Sequence, residues 1–278
     1  MRLIWNYDVA EDWQSKIQQA ANGVKNSDVA IIVVGIQEGE FQDRAILSLP
    51  GHQEEMIKQI SAIGKPVIVV LIGGSAITMN NWIKDVHAIL DAWYPGEEGG
   101  NAVADILFGD YNPSGRLPIT FPVHEGQLPL VYNHKPTGRG DDYNNLSGEP
   151  LFPFGFGLSY SQFDYKNIRL EKQSIKTDEV TKLFVTIKNA GALEGDEVVQ
   201  LYINDELATV ARPVMELKGF QRVHLAPQEE REIYFTVTPE MLSMLDKDLK
   251  LIVEPGDFRL MIGASSKDIR QVMNLNVK

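Results

Sequence analysis

The sequence predicts an open, mostly parallel α/β sheet in its N-terminal part and an all-β, immunoglobulin-like sandwich in its C-terminal part. Three observations carry this. The β-branched runs Val29-Ala-Ile-Ile-Val-Val34 and Val67-Ile-Val-Val-Leu-Ile72 read as strands buried on both faces, as in a parallel sheet. Apolar residues at helical spacing lie around them, giving the βαβα order of a sheet with right-handed crossovers. After about Phe163 every segment is short and alternating, with turn signals between, which is the pattern of a β-sandwich.

The elements follow in order. Val9, Trp13, Ile17, Ala20, Ala21 and Val24 recur at helical spacing, with Asp8 as the expected N-cap. The first strand ends at Gly35, and a long loop covers 35–50. A helix is expected over 51–63, closed by Gly64, and Pro66 leads into the second strand. Gly73-Gly74 turns the chain into a short helix around 77–83. A third strand covers Ala88–Trp93 and a further helix 100–108. Residues 109–163 are rich in Gly, Pro, Asn and aromatics, and read as loop with one short strand near Leu117–Phe121. Strands are then expected over Lys182–Lys188, Glu197–Ile203, Leu217–Leu225, Glu232–Val237 and Phe258–Ile262. The domain limits this implies are 1–122, a loop-rich linker 123–163, and 164–278.

Composition narrows the function. The 278 residues are 44% hydrophobic and 23% charged, the balance of a globular protein. The formal charge of −12 argues against nucleic acid and against an anionic membrane surface as partners. No run approaches the roughly 20 apolar residues of a membrane span. With no cysteine, disulfides, thiol nucleophiles and thiolate metal sites are excluded. The five histidines, His52, His87, His124, His134 and His224, show no metal-ligand spacing. There is no G-x-S-x-G, no dinucleotide fingerprint and no phosphate-binding P-loop. No metal or organic cofactor is expected.

Ligands of open α/β sheets gather at the carboxyl ends of the strands. The loop after the first strand reads Gly35-Ile-Gln-Glu38-Gly39-Glu40-Phe41-Gln42-Asp43-Arg44. A carboxyl that must protonate a leaving oxygen needs a tunable environment, and a glycine-flanked loop at the sheet mouth can deliver one. Arg44 can hold the loop or a carboxylate through paired hydrogen bonds. On local sequence alone a solvated acidic loop fits as well. Gly73-Gly74-Ser75 reads as a tight turn, and Glu97-Glu98 as acidic residues at a helix start.

Longer strings are more specific. One is Val33-Val34-Gly35, then Glu38-Gly39-Glu40-x-x-Asp43-Arg44 and Leu49-Pro50. Another is Trp93-Tyr-Pro-Gly-Glu-Glu-Gly-Gly-Asn-Ala102, Ala104-Asp-Ile-Leu-Phe-Gly-Asp-Tyr-Asn-Pro-Ser-Gly-Arg-Leu-Pro118 and Thr120-Phe-Pro122. Then come Pro153-Phe-Gly-Phe-Gly-Leu-Ser-Tyr160, Val198-Val-Gln-Leu-Tyr202, Arg212-Pro213, Glu216-Leu-Lys-Gly-Phe220, Glu254-Pro-Gly256 and Gly263-Ala-Ser-Ser266. In this order they resemble family 3 glycoside hydrolases of the β-glucosidase and β-xylosidase type, from about residue 9 to about 270.

The resemblance implies a C-terminal portion: an α/β sandwich domain, incomplete at its N-terminus, and a fibronectin type III-like domain. It implies an N-terminal (β/α)8 barrel, fused or separate, that carries the aspartate nucleophile and most of the sugar pocket. This chain shows no nucleophile motif. The acid/base role falls on Glu40, with Glu38 as competitor and Asp43 and Arg44 shaping the loop. The expected substrate is a β-linked oligosaccharide or glycoside, and this chain alone is expected to be nearly inactive. The family is often exported, to the periplasm or outside the cell. Tyr132, Tyr143, Phe152, Phe154 and Tyr160 either line an acceptor subsite or pack between domains. The alternative from another class is a carbohydrate-binding or structural module without chemistry.

Overall fold

The computed structural model describes residues 12–137 and 142–278. The chain forms two compact units. The first comprises residues up to Phe108 together with Phe121–Leu128, and the second Gly109–Thr120 together with Pro129–Lys278.

In the first unit α1 (Trp13–Val24) starts at Asp12, whose carboxylate accepts from the Ser15 N–H at 3.2 Å. This is the ordinary way to satisfy an orphan amide of the first turn. The expected cap Asp8, and Val9, lie outside the described residues. Strand β1 (Ala30–Gly35) pairs parallel with β2 (Val67–Ile72) in the register Ala30↔Val67 to Gly35↔Ile72. Helix α2 (Gln53–Ser61) connects them and buries Ile57 and Ile60. Strand β3 (Ala88–Asp91) pairs parallel with β2 from Ile68↔Ala88 to Leu71↔Asp91. The described sheet therefore has the order β1-β2-β3, all parallel, with β2 central and Val67, Val69, Val70 and Leu71 of it buried. Helix α3 (Gly99–Phe108) ends the alternation. Glu98 stands at its start, where its carbonyl accepts from Ala102 N–H and its carboxylate from the Asn101 amide at 2.6 Å.

Two expected elements do not form. Residues 77–83 are not a helix. The Thr78 N–H donates to Leu47 O at 3.0 Å, and Ala76 O accepts from Arg44 at 3.1 Å. Arg44, from the loop after β1, thus takes the Ala76 carbonyl that the first turn of such a helix would use, and only a single 3-10 turn, Ile83–Asp85, appears beyond Trp82. Residues 117–121 are not a regular strand either. Leu117 exchanges backbone hydrogen bonds with Gly155 and Phe156, both 2.8 Å, but Pro118 and Pro122 remove the donors that a longer ladder requires.

The second unit is a β-sandwich. One sheet holds β4 (Phe163–Leu170), β6 (Thr181–Asn189) and β9 (Glu230–Val237), in that order and antiparallel. The other has the order β5-β13-β12-β7-β8, with β5 (Ser174–Ile175), β7 (Gly195–Asp205), β8 (Glu216–Leu225), β12 (Gly256–Gly263) and β13 (Ile269–Val277). A turn of helix, α4 (Pro239–Leu242), precedes the small hairpin β10 (Met244–Leu245) and β11 (Leu251–Ile252). The period of two puts Leu183, Val185 and Ile187 of β6 opposite Leu201, Leu260 and Leu275 in one core, all fully buried.

The loop segment 109–120 is fastened to this sandwich. Asn112 Oδ1 accepts from Ser159 and from Tyr160 N–H, both at 2.8 Å, and its amide donates to Ser161 and to Glu194 O. Arg116 donates to the buried Glu197 of β7 at 3.0 Å, and the Tyr165 hydroxyl donates to the same carboxylate at 2.7 Å. Burial, and then the Glu197 charge, push the Tyr165 phenol far above its usual range.

Candidate active site

The candidate site is built where β1, β2 and β3 end. Gly35 closes β1 against β2 so tightly that a Cβ there would stand 1.9 Å from Ile72 O. Its N–H donates to Gln53 Oε1 at 2.7 Å, and the Gln53 amide returns bonds to Gly35 O at 2.9 Å and Pro50 O at 3.1 Å. One side chain at the start of α2 thus joins both stems of the 36–50 loop. Ile36 and Leu49 are buried at those stems.

Glu38 is drawn back onto the turn after β2. It accepts from Arg44 Nε at 2.9 Å, from Gly74 N–H at 3.1 Å, and from the Ser75 hydroxyl in a very short bond. Arg44 also reaches Ser75 Oγ at 2.8 Å and Ala76 O at 3.1 Å. Partial burial pushes the Glu38 carboxyl up, but the Ser75 hydroxyl, the Arg44 guanidinium and the Gly74 amide outweigh it and hold it below the usual glutamate range. Glu38 is therefore a fixed carboxylate.

Between Glu38 and Arg44 the chain makes a turn, with Gln42 N–H donating to Gly39 O at 3.0 Å. Phe41, third in that turn, has φ +63°, a left-handed conformation uncommon for a bulky residue, and its ring is 93% exposed. Glu40 is the second residue of the turn. It is exposed and has no hydrogen-bond or ion-pair partner among the described residues. Asp43 is exposed as well. The structure thus brings Glu38 and Arg44 together and leaves Glu40 and Asp43 on the outer tip.

The end of β3 completes the rim. Gly73 N–H donates to Trp93 O at 3.2 Å, and Trp93 has φ +49°. A Cβ on Gly74 would stand 2.6 Å from the Tyr94 ring and 3.1 Å from Glu38 Oε2, so a larger residue there would have to displace the Tyr94 ring. Asp91 lies just before, its carboxyl pushed up by burial and partly brought back by the Trp93 amide. Among the described residues no group of three His, Asp or Glu gathers as metal ligands.

Sequence reasoning read Gly73-Gly74-Ser75 as a plain turn and passed over Gln53. Ser75 proves to be a partner of both Glu38 and Arg44. The available signal was a hydroxyl at the end of a central strand beside a loop with unpaired charges. Gln53 gave no signal that distinguishes it from any polar residue at a helix start. In the second unit Tyr132 stacks on Phe154 at 4.2 Å and accepts from Leu217 N–H, while Phe152 stacks on Phe156 at 4.9 Å. Tyr132, Phe152 and Phe154 are half-buried in these contacts, whereas Tyr143 and Tyr160 are exposed.

Among the described residues, a three-stranded parallel sheet with a charged loop at its carboxyl edge, followed by a β-sandwich, defines a class of architecture: an α/β unit joined to an all-β unit. Residues 7–160 match the Glycosyl hydrolase family 3 C-terminal domain, and residues 197–266 match the Fibronectin type III-like domain. The chain belongs to glycoside hydrolase family 3. It is 43% identical over 268 residues to a β-xylosidase of Formosa agariphila, covering 94% of this chain and 37% of that protein. It is 37% identical over 271 residues to a periplasmic β-glucosidase of Salmonella typhimurium, covering 93% and 35%. The crystal structure of a β-glucosidase from Listeria innocua in complex with glucose superposes with a TM-score of 0.93 at 34% identity, over 98% of this chain and 39% of that one. The chain thus spans little more than a third of the length of these relatives.

Proposed function

We propose that this chain supplies the general acid/base to a retaining β-glycosidase of the β-glucosidase type, and that Glu40 is that residue. The observation that supports the reading is the contrast between the two glutamates of the loop. A general acid must be protonated when substrate arrives and must reach the glycosidic oxygen. Glu38 is surrounded by three donors that stabilise its ionised form. Glu40 stands at the exposed apex of the turn, past the carboxyl end of β1.

Glu40 gives its proton to the glycosidic oxygen while a carboxylate of the N-terminal part attacks the anomeric carbon. A covalent glycosyl-enzyme forms and the aglycone leaves as the alcohol. Glu40, now ionised, takes a proton from water, which attacks the same carbon and releases the sugar with its configuration retained. Such a pair of carboxyls stands about 5–5.5 Å apart, so this chain without the segment bearing the nucleophile is inactive. The substrate class is terminal β-linked sugars of oligosaccharides or glycosides. The relatives, a β-xylosidase and a β-glucosidase, bound the choice.

The test is hydrolysis of p-nitrophenyl β-glucoside and β-xyloside by this chain alone, and by a chimera in which it replaces the matching part of the Listeria innocua β-glucosidase. Activity in the chimera, lost in Glu40→Ala and restored by azide with formation of the β-glycosyl azide, is the expected result. A chimera indifferent to Glu40→Ala overturns the assignment.

A further inference from the structure

We propose that Glu38 is a positioning residue that latches the acid/base loop to the turn after β2 and thereby sets where the turn carrying Glu40 stands. This rests on the reading of Glu40 as the acid/base.

The latch closes the loop from both sides. Glu38 lies three residues after the end of β1, and Arg44 lies six residues further on. Both converge on Gly74, Ser75 and Ala76. Arg44 also donates to Ser48 O at 3.4 Å, so the outgoing strand of the loop is held by the same side chain. The Arg44 and Glu38 side chains are only 17% and 18% exposed. Charge-assisted bonds so shielded resist competition by water better than surface pairs do. Glu40, Phe41, Gln42 and Asp43, by contrast, are all exposed. The arrangement is an anchored inner pair bearing a four-residue outer turn.

Two details fit an imposed turn rather than a relaxed one. Phe41 holds a left-handed φ with its ring almost wholly in solvent, so nothing it packs against compensates its backbone. Such conformations persist where the surrounding structure over-determines them. Gly74 is the second detail. Its N–H is bonded to Glu38, and a Cβ there would strike the Tyr94 ring and crowd Glu38. Proton transfer needs heavy atoms within about 2.6–3.2 Å, and a displacement of about 1 Å at a catalytic group can cost on the order of a hundredfold in rate. A loop whose tip makes no fixing contact must take its position from its base.

Two measurements test this. The first uses this chain without any activity. Glu38→Ala and Ser75→Ala are expected to speed exchange of the Gly74 amide and chymotryptic cleavage after Phe41 by about tenfold or more, with the thermal midpoint of the sandwich unchanged. Glu38→Gln, which keeps an acceptor for the Gly74 amide, recovers most of the protection. Rates equal to wild type in Glu38→Ala and Ser75→Ala overturn the latch.

The second uses the chimera and compares kcat/KM on dinitrophenyl β-glucoside, whose leaving group needs no proton, with methyl β-glucoside, whose leaving group does. A residue that acts through the acid lowers the second at least tenfold more than the first, and Glu38→Ala is expected to do so. Equal losses on both substrates mean a merely structural role and overturn the inference. If Glu40→Ala is crippled and rescued by azide while Glu38→Ala behaves as wild type, the Glu40 reading stands and the latch alone fails. If instead Glu38→Ala is the variant rescued by azide, Glu38 is the acid/base and both readings fall.

Discussion

Removing Arg116 exposes how the loop segment 109–120 is held to the sandwich. Arg116 and Glu197 meet at 3.0 Å with side chains only 9% and 3% exposed. Lys166 and Glu230 form a pair at 3.3 Å, with side chains 41% and 47% exposed. Arg116→Ala leaves the Glu197 charge buried with one remaining donor, the Tyr165 hydroxyl. Orphaning a buried charge costs about 3–5 kcal/mol. Arg116 Nε is itself buried without a partner among the described residues, so the variant also relieves one unsatisfied donor. The expectation is therefore about 3 kcal/mol, against roughly 0–1 kcal/mol for Lys166→Ala. All four tryptophans precede residue 109 and do not report on the sandwich. The assay is accordingly hydrogen exchange of the β6 and β7 amides under native conditions. The double variant Arg116→Met with Glu197→Leu is expected to recover more than half of the loss, because it removes both charges together. If Arg116→Ala costs no more than Lys166→Ala, burial does not govern these pairs and the reasoning fails.

Other outcomes follow from the same structure. Gly35→Ala drives a methyl group to 1.9 Å from the Ile72 carbonyl, and is expected to destabilise the α/β unit by more than about 4 kcal/mol, read by tryptophan fluorescence in urea. Phe41→Gly relieves a left-handed φ and exposes no packed surface. It should leave stability unchanged or raise it by up to about 1 kcal/mol, and a loss larger than that in the same urea titration shows that the ring packs. Asn189→Leu removes bonds to Leu193 O, Leu225 O and Gly191 N–H in a fully buried site. It should cost at least about 2 kcal/mol in β6 amide exchange. Because the folded-state pKa of Glu38 is depressed, its hold on Gly74 is complete above the ordinary value of 4.5 and is lost as pH falls through the lowered value. The Gly74 amide shift followed by NMR should therefore titrate with a midpoint below 4.5, and a midpoint above it contradicts the network.

Much of the fold was legible because it rests on local pattern. The β-branched run before Gly73 became β2 because two-sided burial leaves no polar position in a central parallel strand. The run before Gly35 became β1 at the edge of the described sheet, where Ile31 is exposed, so the expected burial on both faces is not seen for it among the described residues. The alternation from Thr181 to Asn189 became β6 because each second residue faces one core. The misread 77–83 segment shows the limit. Its apolar spacing suits a helix, but Leu47 O and Arg44 claim its backbone. Those partners lie about 30 residues away in sequence, beyond any window.

The site divides in the same way. The sequence by itself determined the residue types and their order: Glu38, Glu40, Asp43 and Arg44 after the first strand, and the strings that place the chain in its family. It also determined that Arg116 and Glu197 stand 81 residues apart in the chain. Only the tertiary structure decided that these two form one buried pair. Only it decided that Glu38 and Arg44 share Ser75 while Glu40 is left on the tip. The reason is physical. Propensity and periodicity act between neighbours in the chain, whereas the partner of a charge is whatever group the packing of distant strands brings within about 3 Å of it.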